Sequence, residues 1–181
     1  MRADILTAAT GLLDRGGERA VTLRAVAREA GIATSSIYPH FPDQPALLLA
    51  VVAAAFADLA RRLEAAITDD DAPQRLYAAG HAYLDFAAAH PRRYRAMFGS
   101  TRPPIDLDAL ILRLLADLLT DCAAAGHSTS TDPGADTIAL WLGLHGLAHQ
   151  HTVTRTFSWT AQLVPHVVAS LAHLTPNRPP Q

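Results

Sequence analysis

The chain contains no lysine; all 15 of its basic residues are arginine. It has one cysteine, Cys122, so no disulfide can form within it, and a reducing cytoplasm suits such a chain. No apolar run reaches the ~18 residues that a membrane span needs. The longest, Ala46–Ala57 (ALLLAVVAAAFA), falls well short. Acids arrive within the first few residues, and no long apolar core follows Met1, so a secretory leader is not expected. Strand alternation, internal repeats and low-complexity blocks are missing too. So are a glycine-rich phosphate loop, a nucleophile elbow and a paired-carboxylate motif, which argues against an enzyme. A soluble protein without a cofactor is the expectation.

What is present points to helices. The chain has 181 residues, of which 50% are hydrophobic, enough to bury a sizeable core. Alanine, leucine and arginine dominate, and they are good helix formers. Ile5, Ala9, Leu12 and Leu13 recur at helical spacing, and Gly16-Gly17 ends that first helix. Thr22 is a good N-cap for a second helix carrying Leu23, Val26, Ala27 and Ala30, which Gly31 closes. A short third helix begins at Thr34 or Ser35. Asp43 caps a long fourth helix with Pro45 in its first turn, running to about Thr68. Further helices are expected after the Asp69–Asp71 acids, after Pro91, over Leu107–Cys122, after Asp132-Pro133, and over Leu163–Leu174, where Pro165 kinks the helix or delays its start. The sum is an all-α fold of about nine helices. Residues 1–45 read as one domain, linked through a helix over about 43–68 to a second over 46–175. The tail 176–181 reads as disordered.

The second and third helices around Gly31 have the layout of a helix–turn–helix. The third is only about one turn long, because TSSIYPHFP (34–42) starts on hydroxyls and stops on prolines. Pro39 biases Tyr38 away from helical geometry, so regular helix should fade there. Ile37 and Phe41 belong in the core. Thr34, Ser35, Ser36, Tyr38 and His40 are left to meet phosphates or base edges in a major groove. The hydroxyls are the better candidates for bases; Tyr38 and His40, at the helix end, suit the backbone. Thr22 and Arg24, at the start of the second helix, suit a phosphate.

From Ile5 to Val52 the sequence resembles the TetR family of transcriptional regulators. The resemblance lies in ILTAATGLLDRGG, in VTLRAVAREAGIATSSIYPHF and in PDQPALLLAV. AYLDFAAAHPRRYRAMFGS (82–100) and WLGLHG (141–146) are similar to the subgroup whose C-terminal domain carries a Trp…His-Gly signature. The resemblance implies a DNA-binding N-terminal domain and a helical ligand-binding and dimerisation domain. It implies a homodimeric repressor released from double-stranded DNA by a small molecule, with the eighth and ninth helices as the dimer seam. Two copies of the third helix in successive major grooves require a palindromic operator. One departure stands out: where many members carry lysine after the cap of the fourth helix, this chain has Gln44. Five arginines balance five acids across residues 1–50, so few phosphate neutralisations and a shallow salt dependence are expected.

Tyr83, Phe86, Met97, Phe98, Trp141 and His145 have the make-up of a largely apolar effector pocket with a few polar groups. They would serve equally as plain core. Gly143 and Gly146 flank His145, each costing ~1 kcal/mol relative to alanine in a helix, which the close approach of another helix would offset. His145 and His149 are four apart on one helix face, a zinc-compatible spacing, and His151 follows; a buried, hydrogen-bonded histidine is the simpler reading, and no metal is assigned. Two other functions stay open: a dimeric ligand carrier that does not bind DNA, and a metal sensor using His145, His149 and His151.

Overall fold

The computed structural model describes residues 1–99, 108–154 and 162–175. Among them are eight α-helices: α1 (Arg2–Gly16), α2 (Leu23–Glu29), α3 (Gln44–Ala66), α4 (Ala72–Ala89), α5 (Pro91–Met97), α6 (Asp108–Ala124), α7 (Pro133–His149) and α8 (Leu163–Leu171). The short third helix of the sequence reading is a 3-10 turn, Thr34–Ser36, which accounts for the ninth. A second 3-10 turn covers Glu18–Ala20, and α7 widens into a π-helical turn over Gln150–Thr154. Pro165 falls in the first turn of α8, so it marks a start and not a kink. The tail 176–181 and the loop at 100–107 lie outside the described residues.

The chain divides into two compact units. The first comprises Met1–Asp58 and the stretch beginning at His90; the second begins at Leu59 and resumes at Asp108. The boundary expected near residue 45 is therefore drawn elsewhere, for a physical reason. Helix α5 packs against α1. Arg93 on α5 grips Asp14 with two nitrogens, Nε to Oδ1 at 3.1 Å and Nη2 to Oδ2, while its Nη1 donates to Asp58 Oδ2 at 3.1 Å. Arg92 donates to the Asp14 carbonyl at 2.9 Å. Phe98 meets Phe56 edge-on, with ring centroids 5.4 Å apart, and Tyr94 at 4.9 Å. Short forked contacts of this kind hold a helix better than isolated surface pairs do.

The core of the first unit is built from Ile5, Ala9, Leu13, Val21, Val26, Ile37, Phe41 and Leu47, all at most 2% exposed. Its helices begin on side chains that satisfy orphan amides. Thr22 Oγ1 accepts from Ala25 N–H at 3.2 Å, and Asp43 Oδ1 accepts from Ala46 N–H at 2.8 Å. Gly31 takes φ +68°, the left-handed conformation that lets α2 stop and the chain turn sharply into the next element. Arg15 closes the other end of α2 with a 2.6 Å pair to Glu29.

The second unit packs α4 against α6, α7 and α8. Two glycines permit this. A Cβ on Gly80 of α4 would sit 3.0 Å from Val168 Cγ2 and 3.3 Å from Val164 Cγ1. A Cβ on Gly143 of α7 would come within 2.6 Å of Leu171 Cδ1. The connection into α7 is fixed by Asp132, whose Oδ1 accepts from Ala135 N–H at 3.1 Å. Cys122 is fully buried, and burial pushes its thiol up to about 11, so it stays a neutral core group.

Candidate nucleic-acid interface and effector site

The residues from Thr22 to Phe41 form a polar face on an apolar base. Ile37 is fully buried and Phe41 is 2% exposed, while Tyr38 between them is 54% exposed. Ile37 O accepts from both His40 N–H at 2.8 Å and Phe41 N–H at 2.9 Å, so the chain after the 3-10 turn is held as a tight, ordered turn. Ser35 is exposed; Thr34, Ser36 and His40 are half-buried. At the other end of the motif Thr22 and Arg24 are both exposed in the opening of α2. The guanidinium of Arg2 lies 5.0 Å from the centroid of the Phe41 ring, a cation–π contact that fixes the start of α1 over the end of the turn. The hydroxyls, phenol, imidazole and guanidinium expected from sequence thus belong to one small unit, with their apolar neighbours turned inward.

The charge of that unit differs from the balance of residues 1–50. Including α5, its described residues carry eight arginines against six carboxylates. Several acids are also engaged: Asp14 and Asp58 by Arg93, Glu29 by Arg15, and Asp4 by the N-terminal ammonium, which lowers the Asp4 carboxyl below its ordinary range. The sequence reading missed Arg92, Arg93 and Arg95 as members of this unit. The run PRRYR was visible, but its return to α1 is a long-range contact that no local pattern records.

In the second unit three of the expected effector residues come together. Tyr83 on α4 is fully buried, and its hydroxyl lies 3.3 Å from His145 Nδ1 on α7. In the tautomer protonated on Nε2 the phenol donates to Nδ1. His145 stacks on Trp141, one turn earlier, with ring centroids 5.4 Å apart and an interplanar angle of 24°. Phe86 is also buried on α4, with the Arg62 guanidinium 5.7 Å from its ring centroid. Met97 and Phe98 instead belong to the first unit, where Phe98 packs with Tyr94 and Phe56. His149 is exposed and His151 half-buried in the π-helical turn. Among the described residues no group of three His, Cys, Asp or Glu side chains is placed to hold a metal, and no helix is long and apolar enough to cross a membrane.

Comparison with known proteins covers both units. Residues 5–51 match the family model of bacterial regulatory proteins, tetR family, and residues 76–173 match that of the tetracyclin repressor-like C-terminal domain. The HTH-type transcriptional regulator Rv1816 of Mycobacterium tuberculosis is 29% identical over 135 residues, spanning 71% of this chain and 57% of its own length. The chain thus covers little more than half of that relative. YobS of Bacillus subtilis, an uncharacterised HTH-type transcriptional regulator, is 25% identical over 152 residues, 82% of this chain and 75% of its own. Among solved structures, a Rhodococcus protein of unknown function superposes with a TM-score of 0.83 at 26% identity, covering 94% of this chain and 93% of the other. The regulator FadR of Bacillus subtilis in complex with stearoyl-CoA superposes with a TM-score of 0.74 at 16% identity, covering 95% and 98%, a likeness of fold.

Proposed function

The chain belongs to the TetR family of transcriptional regulators, and we propose that within it the protein is a homodimeric repressor released from a palindromic operator by a largely apolar small molecule. The observation that carries the DNA half is the exposed row of Ser35 and Tyr38 over buried Ile37 and Phe41, with Thr22 and Arg24 beside the start of α2. In this reading Thr34, Ser35 and Ser36 meet base edges, while Thr22, Arg24, Tyr38 and His40 hold phosphates and set the register.

Dimerisation through α7 and α8 is supported by a row on α7. Ile138 is 52% and Leu142 55% exposed, and Gly146 continues the row four residues on, with nothing among the described residues within 4 Å of where its Cβ would stand. An exposed aliphatic row on a helix, ending in a glycine that no neighbour among the described residues requires, fits close approach by a second copy.

The effector set proposed for the second unit is Tyr83, Phe86, Trp141 and His145. The Tyr83–His145 pair supplies an oriented polar group among apolar walls. That FadR of Bacillus subtilis was solved with stearoyl-CoA favours a long apolar group as the effector class. A ligand that prefers one of two arrangements of the dimer shifts the population and changes operator affinity.

Selection from a random duplex pool, followed by gel shift at fixed salt, tests the reading. Palindromic sequences should be enriched, and Tyr38→Ala should weaken the enriched operator at least about tenfold with helicity and dimerisation unchanged, a loss of roughly 1.4 kcal/mol or more. Enrichment of no palindrome would favour the ligand carrier. Undiminished binding by Tyr38→Ala would remove the 34–41 segment from the interface.

A further inference from the structure

Within the first unit, the end of α1, the turn that follows it and α5 enclose a cleft of about 430 Å³ lined by Gly16, Gly17, Glu18, Arg19, Arg92 and Arg95. Helix α5 holds three arginines and no acid. They divide by face. Arg93 turns to Asp14 and Asp58. Arg92 and Arg95, three apart and so neighbours on the helix, turn to the cleft. Arg19 reaches it from the opposite wall. Arg92 also donates to the Asp14 carbonyl at 2.9 Å, while among the described residues Arg19 and Arg95 form no ion pair.

A single exposed arginine needs no partner. Three guanidinium groups from two distant stretches of chain around one concavity, with Glu18 the one carboxylate among the described residues lining it, are another matter. Like charges at that spacing oppose one another, and a concave wall concentrates their field. Planar guanidinium forks match the oxygens of a phosphate two at a time. We propose that this cleft is a binding site for a soluble phosphoryl-bearing small molecule, with two linked phosphates as the fitting size, and that its occupancy fastens α5 to the turn between α1 and α2.

DNA phosphate is the other source of the same chemistry, and position disfavours it. The 34–41 segment leads directly into the start of α3, whereas α5 is fastened at Asp58, about 21 Å further along that helix at 1.5 Å per residue.

Thermal unfolding in sodium pyrophosphate, against sodium chloride of equal ionic strength, tests the site. The wild-type melting temperature should rise by about 3–6 °C at ten times the Kd. The rise should vanish in Arg19→Ala and Arg95→Ala, whose side chains are exposed and outside the ion pairs of the described residues, and persist in Arg28→Ala as a control for lost charge. No rise in the wild type, or an equal rise in all four proteins, overturns the proposal. A second arm measures binding to a mixed-sequence duplex across salt concentrations. An unchanged slope in both variants is expected. A slope reduced by about 0.9 per arginine removed would assign the cleft to the DNA backbone and overturn the soluble ligand.

Discussion

The segment 34–41 and helix α7 each expose large side chains to a similar extent, and their chemistry is opposite. Tyr38 is 54% exposed, set among hydroxyls and an imidazole; Ile138 and Leu142 are 52% and 55% exposed on a helix that is apolar nearly all round. Each rests on a buried base, Ile37 and Phe41 in the first case, Leu140, Leu144 and Ala148 in the second. The bases hold the fold, and the exposed groups name the partner. Donors that can also pack suit a ridge of phosphates and base edges, while bare aliphatics suit only another apolar surface, such as the same row on a second copy.

The sharpest way to break this contrast is to charge the apolar row. Leu142→Asp should weaken the dimer at least about 100-fold, roughly 3 kcal/mol, since a central anchor is lost and two carboxylates face each other across the seam. Sedimentation velocity reads the change, and circular dichroism should be unaltered because the side chain is exposed in the single chain. Operator binding should fall with it, because two half-sites held by one dimer lose their shared avidity. Tyr38→Ala should do the reverse: lose operator, keep dimer. An intact Leu142→Asp dimer would refute the α7 seam.

Two glycines on α7 sharpen the same point at lower energy. Gly143 is closed in by its own chain, with Leu171 Cδ1 2.6 Å and Val167 Cγ1 2.9 Å from its absent Cβ. Gly143→Val should destabilise the unit by about 2 kcal/mol through overpacking. Gly146 has open space among the described residues, so Gly146→Ala should raise the stability of a monomeric Leu142→Asp background by up to about 1 kcal/mol, while loosening the dimer in the wild-type background. Denaturant titration of the wild type, Gly143→Val, Gly146→Ala, Leu142→Asp and the Leu142→Asp/Gly146→Ala double variant separates the effects. A loss of stability for Gly146→Ala in the monomer would mean that its reason lies within the chain.

How much of this was legible in the sequence depends on reach along the chain. The Thr22, Asp43 and Asp132 caps, the Gly31 turn and the absence of regular helix at Tyr38 are local events, and residue type alone indicated them. The shortness of the element at Thr34–Ser36 was readable from Pro39 and Pro42, although its 3-10 form was not. What depends on distant partners was hidden. Gly143 and Gly146 look alike in WLGLHG, and only the position of α8 separates them. Met97 and Phe98 looked like pocket walls because α5 follows α4, yet Arg93 ties α5 to Asp14, 79 residues earlier. The same tie added arginines to a domain that its first fifty residues make neutral.

Thr22 offers the smallest and cleanest separation of scaffold from interface. Its Oγ1 accepts from Ala25 N–H at 3.2 Å, which leaves the hydroxyl proton free to donate outward. One atom can therefore cap α2 and bind a phosphate at the same time. Thr22→Ala removes both roles and should cost about 1 kcal/mol of stability together with operator affinity. Thr22→Asp keeps an acceptor for the amide and complements the helix dipole, so stability should hold. It has no proton to give and sets a negative charge against the phosphate, so operator affinity should fall further than in Thr22→Ala. If Thr22→Asp binds operator as the wild type does, Thr22 is a cap and nothing more, and the phosphate contact at the start of α2 passes to Arg24 alone.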